Sequence, residues 1–146
     1  MAARATTEGG HAGPPLQGQF MDFLKDLKFD DKGLIPAVVQ DATNGEILMV
    51  AYMNDQAVKQ TIESGLVTLW SRSRQKYWVK GESSGHTQTV KEVFYDCDGD
   101  TLLIKVEQKV AACHEGYRSC FFRKVENGVG KIIAKPLFDP KKTYDK

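Results

Sequence analysis

The sequence has few cysteines, no long apolar run and almost no net charge. With 20 Lys and Arg against 19 Asp and Glu, the formal net charge of the 146 residues is +1. Proteins that bind nucleic-acid backbones usually have a strong excess of basic over acidic residues, so we expect no nucleic-acid partner. The longest apolar stretch, ILMVAYM, is far shorter than the roughly 20 residues that span a bilayer, so we expect no membrane association.

The only cysteines are Cys97, Cys113 and Cys120. An odd number at irregular spacing makes a poor disulfide framework and is typical of a reducing compartment, where thiols stay free or bind metal. We therefore predict a cytoplasmic protein. Residues 1–19 are rich in Ala, Gly, Thr and Pro and contain no hydrophobic segment. This composition argues against a secretory signal and predicts a flexible N-terminal tail.

What the sequence does contain is a series of strand-forming runs punctuated by turns. FMDFLKDLKF has apolar residues at helical spacing and predicts a short amphipathic helix. LIPAVVQ and EILMVAYM flank DATNG, whose Asn44-Gly45 pair predicts a hairpin. DQAVKQTIES lies between a capping Asn54 and Gly65, and predicts a second helix.

The remaining strand-like runs are LVTLW, KYWV, HTQTVKEVFYD, TLLIKVEQ, CFFRKV and KIIAK. We expect a mostly β (α+β) protein with a single compact domain over residues 20–137. Its mixed or antiparallel strands should form a folded sheet or pseudo-barrel, with one or two short helices. Residues 138–146 are expected to be a polar C-terminal tail.

The cysteines are candidate zinc ligands. Cys97 lies in YDCDGD at the end of a strand, and Cys113 and Cys120 bracket the loop CHEGYRSC. Thiolate is a preferred zinc ligand, and zinc usually takes four ligands, of which three cysteines supply three. A His in the fourth position would close a structural site, whereas water in that position would make the site catalytic. The alternative is three separate buried thiols, because Cys-x6-Cys is not one of the tight zinc pairings. The spacing alone leaves both open.

Three aspartates flank the same cysteine. Asp96, Asp98 and Asp100 surround a Gly99 turn, which is a natural seat for a hard cation such as Mg²⁺. An EF-hand is excluded, because Thr101 stands where that loop needs Gly and a strand follows. The alternative is a solvated acidic turn. Side chains alternate between the two faces of a strand, so if the strand persists to its end, Cys97 points away from Asp96 and Asp98. One face of the segment would then present a thiolate to a soft metal, and the other would present carboxylates to a hard metal.

A basic and hydroxyl-rich stretch, WSRSRQKYWVKGESSGH, covers residues 70–86. Arginine forks match phosphate geometry, hydroxyls complete such sites, and aromatic rings can stack on a base. With near-zero net charge, a small phosphorylated ligand suits this stretch better than a polymer. The alternative is a basic strand edge with core tryptophans. The candidate substrate-binding residues are Ser71, Arg72, Ser73, Arg74, Lys80, Glu82 and Ser84.

Two histidines are candidate catalytic residues. His114 directly follows Cys113, where a group that titrates near neutral pH could transfer protons, and His86 closes the polar loop. Either could instead be a surface residue. Arg118, inside the cysteine loop, is the nearest cation in sequence and is expected to offset the charge of thiolate ligands.

Taken together, GLIPAVVQD, VAYMN, LWSRSRQKYWVKGESSGHTQ, DCDGD, VEQ and ACHEGYRSCFFR resemble the phosphoribosyl-AMP cyclohydrolase family of histidine biosynthesis, from about Gly33 to Arg123. The resemblance implies that a zinc-activated water opens the adenine ring of phosphoribosyl-AMP between N1 and C6, giving the formimino-AICAR ribotide. It also implies an intertwined homodimer whose sites draw ligands from both chains. Only 23 residues follow Arg123, so we expect a monofunctional form without the pyrophosphatase domain to which many members are fused.

The resemblance also assigns the metals. It implies one Zn²⁺ per subunit on Cys97, Cys113 and Cys120, and Mg²⁺ on Asp96, Asp98 and Asp100. Two alternative functions remain open from the sequence. One is a zinc deaminase acting on another nucleotide, although its H-x-E and P-C-x-x-C signature is absent. The other is a non-catalytic zinc-binding module with His86 or His114 as the fourth ligand.

Overall fold

The structure is a computed structural model that describes residues 21–144. The tail predicted over residues 1–19 lies outside the described residues. The first predicted helix is present as a 3-10 helix, Asp22–Asp26. The strands are β1 (Ile35–Asp41), β2 (Ile47–Met53), β3 (Thr68–Ser71), β4 (Lys76–Val79), β5 (Gln88–Tyr95), β6 (Leu102–Gln108), β7 (Arg123–Glu126) and β8 (Val129–Ile132). The helices are α1 (Asp55–Ser64) and α2 (Pro140–Tyr144).

A four-stranded sheet in the order β2-β1-β6-β5 forms the centre of the fold. β1 pairs antiparallel with β2 and parallel with β6, and β5 pairs antiparallel with β6. Along β1 and β6, buried residues alternate with more exposed ones, because successive side chains point to opposite faces of a strand. The expected mostly β, mixed-sheet architecture is confirmed, and the described strands form open sheets, not a closed barrel.

The helix α1 covers the core next to the sheet. The Asn54 side chain accepts a hydrogen bond from the Ala57 N–H at 2.9 Å, and Gly65 ends the helix with φ of 77°. Both predicted ends are therefore confirmed. Thr61 ties the helix to β3, because its hydroxyl donates to the Thr68 carbonyl and accepts from the Thr68 N–H. The largest apolar side chains of the core are Ile35, Leu48, Met53, Leu69, Leu102 and Ile104.

Two hairpins and a short C-terminal helix complete the described chain. β3 pairs with β4, and β7 pairs with β8 through a turn in which Asn127 and Gly128 have φ of 51° and 78°. The hairpin β7–β8 exposes Val125, Val129 and Ile132, each by more than half. α2 lies in the segment expected to be a polar tail. None of the helices in residues 21–144 is long and apolar enough to cross a bilayer.

Candidate active site

The loop that carries two of the cysteines is attached to β2 and to itself. The Cys120 N–H donates to the Leu48 carbonyl at 2.7 Å, and the Ser119 hydroxyl donates to the Ile47 carbonyl at 2.7 Å. Within the loop, the Cys113 N–H donates to the Tyr117 carbonyl at 3.1 Å. These bonds fold the chain back so that the two cysteines, seven positions apart in sequence, meet.

The Cys113 and Cys120 thiols interact directly, and Lys80 lies beside them. Cys120 keeps exposed surface, but neighbouring groups desolvate its thiol. This desolvation, the charge of Cys113 and a hydrogen bond with it raise the pKa of Cys120 to about 11, while the Lys80 ammonium opposes this rise. Burial lowers the pKa of Lys80, and the two thiols oppose that shift. Two adjacent thiols next to one cation form a pair of sulfur donors, and a further positive charge would stabilise the Cys120 thiolate.

The third cysteine does not join this pair within the described chain. Cys97 lies exposed in the turn after β5, where its thiol donates to an Asp98 carboxylate oxygen at 3.3 Å. No group of three or more His, Cys, Asp or Glu residues in the described region is close enough to hold a metal ion. The structure thus brings together two of the three predicted zinc ligands, and leaves Cys97 apart from them.

The aspartate turn is exposed and internally hydrogen-bonded. The Asp100 N–H donates to an Asp96 carboxylate oxygen at 3.1 Å. Desolvation, together with the charges of Asp96 and Asp98 and a hydrogen bond with Asp96, raises the pKa of Asp100. Mutual repulsion among the carboxylates is the electrostatic property expected of a cation site. Gly99 has φ of 73°, and a Cβ there would lie 2.3 Å from the Asp26 carbonyl oxygen, so the turn sits tightly on the 3-10 helix.

A cavity of about 760 Å³ opens beside the cysteine pair. It extends from the hairpin β3–β4 to the loop after β4, the cysteine loop and α2. Its lining residues are Ser71, Arg74, Lys76, Trp78, Lys80, Gly81, Glu82, Ser83, Ser84, His114, Pro140 and Lys141. A cavity of this size suits a small-molecule ligand. It brings together most of the predicted substrate-binding residues and one of the two predicted catalytic histidines.

The remaining predicted residues lie outside the cavity wall. The Arg72 guanidinium stacks over the Tyr52 ring, 4.0 Å from its centre. The Ser73 hydroxyl lies 3.5 Å from that of Ser71. His86 packs edge-on against Phe138, with ring centres 4.8 Å apart. Burial, followed by the charges of Lys80 and Lys109, lowers the pKa of His86 and favours neutral imidazole.

The expected role of Arg118 is wrong. Its guanidinium pairs with the carboxylates of Asp41 and Glu46 and donates to the Val110 carbonyl, so it braces the cysteine loop against the β1–β2 hairpin. Burial alone would raise the pKa of Asp41. Hydrogen bonds from the Thr43 and Asn44 backbones and the Arg118 charge lower it overall. Lys80 is the cation that faces the thiols, which sequence adjacency could not show.

Sequence reasoning also missed three cavity residues that bear charge or a large ring. Lys76 and Trp78 share a face of β4, because side chains at alternate positions of a strand point the same way, and Lys80 follows the end of the strand at the same spacing. That alternation was the signal that could have found them. No local sequence pattern could have identified Lys141, since it lies more than fifty residues after the stretch 70–86 whose residues it meets in the cavity wall.

Comparison with known proteins identifies the family of this chain. The family model described as phosphoribosyl-AMP cyclohydrolase matches residues 49–122. A phosphoribosyl-AMP cyclohydrolase of Chlorobaculum parvum is 54% identical over 85% of this chain and 91% of its own length. One from Desulforapulum autotrophicum is 60% identical over 77% of this chain and 91% of its own. One from Methanococcoides burtonii is 52% identical over 83% of this chain and 98% of its own. The chain therefore belongs to the phosphoribosyl-AMP cyclohydrolase family.

Proposed function

We propose that this chain hydrolyses the adenine ring of phosphoribosyl-AMP at the bond between N1 and C6, in histidine biosynthesis. The observation that carries the proposal is the cavity that brings His114, Lys80, Arg74 and Ser71 together beside the Cys113–Cys120 pair. In this reaction water adds to C6, the N1–C6 bond breaks and N1 takes up a proton. The exocyclic nitrogen stays on the product as a carboxamide, so no ammonia leaves.

The cysteine pair fits a zinc ion in chemistry but supplies only two thiolates from one chain. We infer that Cys113 and Cys120 hold zinc together with Cys97 of a second copy. Cys97 and Cys120 are both exposed, and Phe121, next to Cys120, is 55% exposed, as expected for an interface between copies. Zinc bound by these thiolates would supply a Lewis acid that lowers the pKa of its water to about 7.

The chain's own side chains have separate tasks around the substrate. His114 lies in the cavity wall directly after Cys113 and would deliver the proton to N1. Lys80 balances the negative charge of the thiolates and so preserves the acidity of the metal. Arg74 and Ser71 offer a guanidinium and a hydroxyl to a substrate phosphate. Asp96, Asp98 and Asp100 would hold Mg²⁺ through hard oxygen ligands.

The test is a turnover assay on purified protein with phosphoribosyl-AMP, Zn²⁺ and Mg²⁺. Ultraviolet absorbance reports the loss of the adenine ring, and a coupled assay reports ammonia. We expect a spectral change without ammonia, and its loss in Cys113→Ser. A spectral change accompanied by ammonia would mean deamination and would contradict the proposal. Bound zinc with no spectral change would indicate a structural zinc module.

A cytoplasmic location stays a prediction, since thiolate ligands require reducing conditions.

A further inference from the structure

The C-terminal segment from Pro136 to Lys141 closes one side of the cavity. The Leu137 N–H donates to the Gly116 carbonyl at 2.7 Å, which fastens the segment to the cysteine loop. Gly116 has φ of 102°, and a Cβ there would lie 2.5 Å from the Phe138 carbonyl oxygen. Beyond this close contact, Pro140 and Lys141 enter the cavity wall.

Most of the charged residues on this cavity wall are cations. Arg74, Lys76, Lys80 and Lys141 line the cavity, whereas Glu82 is the one carboxylate among the lining residues. That carboxylate accepts a hydrogen bond from the Val79 N–H at 3.0 Å. Among residues 21–144, none of the four cations forms a salt bridge. Lys80 faces the two thiols, which leaves Arg74, Lys76 and Lys141 as cations of the cavity wall without a salt bridge in the described chain. In a chain with a net charge of only +1, such a cluster of cations forms an anion-binding surface.

The substrate named by the proposed function has two phosphate groups, one on each ribose. Ser71 and Arg74 on the hairpin β3–β4 and Lys141 on α2 belong to different elements of the wall, so they offer more than one place for a phosphate. We propose that Lys141 is a substrate-binding residue, and that the segment from Pro136 to Lys141 forms part of the active site. This inference rests on the proposed function, because the phosphates belong to that substrate.

The neighbouring Lys142 provides a matched control. It is also exposed and also lies on α2, but it does not line the cavity. In steady-state kinetics with phosphoribosyl-AMP, we expect Lys141→Ala to raise KM about tenfold, the change that loss of one charge-assisted hydrogen bond gives. The kcat should stay within about twofold, because binding is lost equally in the ground and transition states. Lys141→Arg should restore KM, and Lys142→Ala should match the wild type.

Calorimetric titration of the same four proteins with AMP and with ribose 5-phosphate gives a readout independent of turnover. Each probe carries one of the substrate's two phosphate ends. Weaker binding of either probe to Lys141→Ala, but not to Lys142→Ala, supports the inference and identifies the end that Lys141 contacts. Equal KM and equal probe binding in the two alanine variants overturn it. If the wild type does not open the ring, the proposed function fails, and the titrations still decide the role of Lys141.

Discussion

Replacing Lys80 by Gln tests the electrostatics of the cysteine pair. The substitution keeps a long polar side chain but removes the cation that, among residues 21–144, lowers the pKa of Cys120. Burial lowers the pKa of Lys80, and the charges of the two thiols raise it. Lys80 and the thiols therefore each favour the charged form of the other. The Cys120 thiol should therefore become harder to ionise in Lys80→Gln, whereas Lys80→Arg should retain the effect because it keeps the charge.

The size of the change follows from the Cys120 pKa of about 11. Loss of a neighbouring opposite charge shifts a pKa by about one unit or more, so the Cys120 pKa should rise further in Lys80→Gln. Well below the pKa, each unit of increase lowers the thiolate fraction about tenfold. Since only the thiolate is alkylated, the reaction should be about tenfold slower.

The assay is iodoacetamide alkylation of metal-free protein across a range of pH, with the Cys120 peptide quantified by mass spectrometry. The Cys97 peptide of the same sample is the internal control, because Cys97 lies in a different part of the fold. We expect the Cys120 rate profile to move to higher pH in Lys80→Gln and to stay in place in Lys80→Arg. A Lys80→Gln profile that superimposes on the wild type would refute the assignment of Lys80 as the cation of the pair.

Three further substitutions, one of them with a matched control, test the C-terminal segment, the Arg118 ion pair and the role of His114. Gly116→Ala should raise KM for phosphoribosyl-AMP, because the added Cβ would displace the C-terminal segment. Gly128→Ala is the control, since Gly128 also has a positive φ but has open space around it. This control should only lower Tm by a few degrees. Arg118→Met should cost about 3 kcal/mol in urea unfolding at neutral pH, because it leaves the buried Asp41 carboxylate unpaired. Asp41 has a lowered pKa when folded, so this cost is present above about pH 4 and should shrink as the pH falls through that pKa. His114→Gln should lower kcat about 100-fold with zinc content unchanged, and near-normal turnover would transfer the acid role to His86.

Local elements of the fold were readable from the sequence because short-range chemistry determines them. The Asn44-Gly45 turn and the Asn54 and Gly65 caps each depend on backbone preferences of one or two residues, and all three are found. The parallel pairing of β1 with β6 was not predictable in this way. It joins strands that are more than fifty residues apart, and no local pattern encodes the partner of a strand.

The same limit applies to the site. The residue types and order of the stretch from Ser71 to Ser84 indicated phosphate chemistry, and most of its predicted members line one cavity. Sequence adjacency selected Arg118 as the partner of the thiols, yet its guanidinium extends to Asp41 and Glu46 instead. Lys141 reaches the site only because the chain folds back from a distant position, and the same kind of long-range folding brings the cysteine loop to Lys80.

The proposed shared site needs Cys113 and Cys120 from one chain and Cys97 from another. Cys97→Ser and Cys113→Ser proteins should each be inactive and, when co-refolded in equal amounts, should recover about a quarter of wild-type activity. That fraction follows because half of the symmetric dimers are mixed, and each mixed dimer has one intact site. The zinc content of the mixture should rise with the activity. A mixture as inactive as its two components would contradict the shared site.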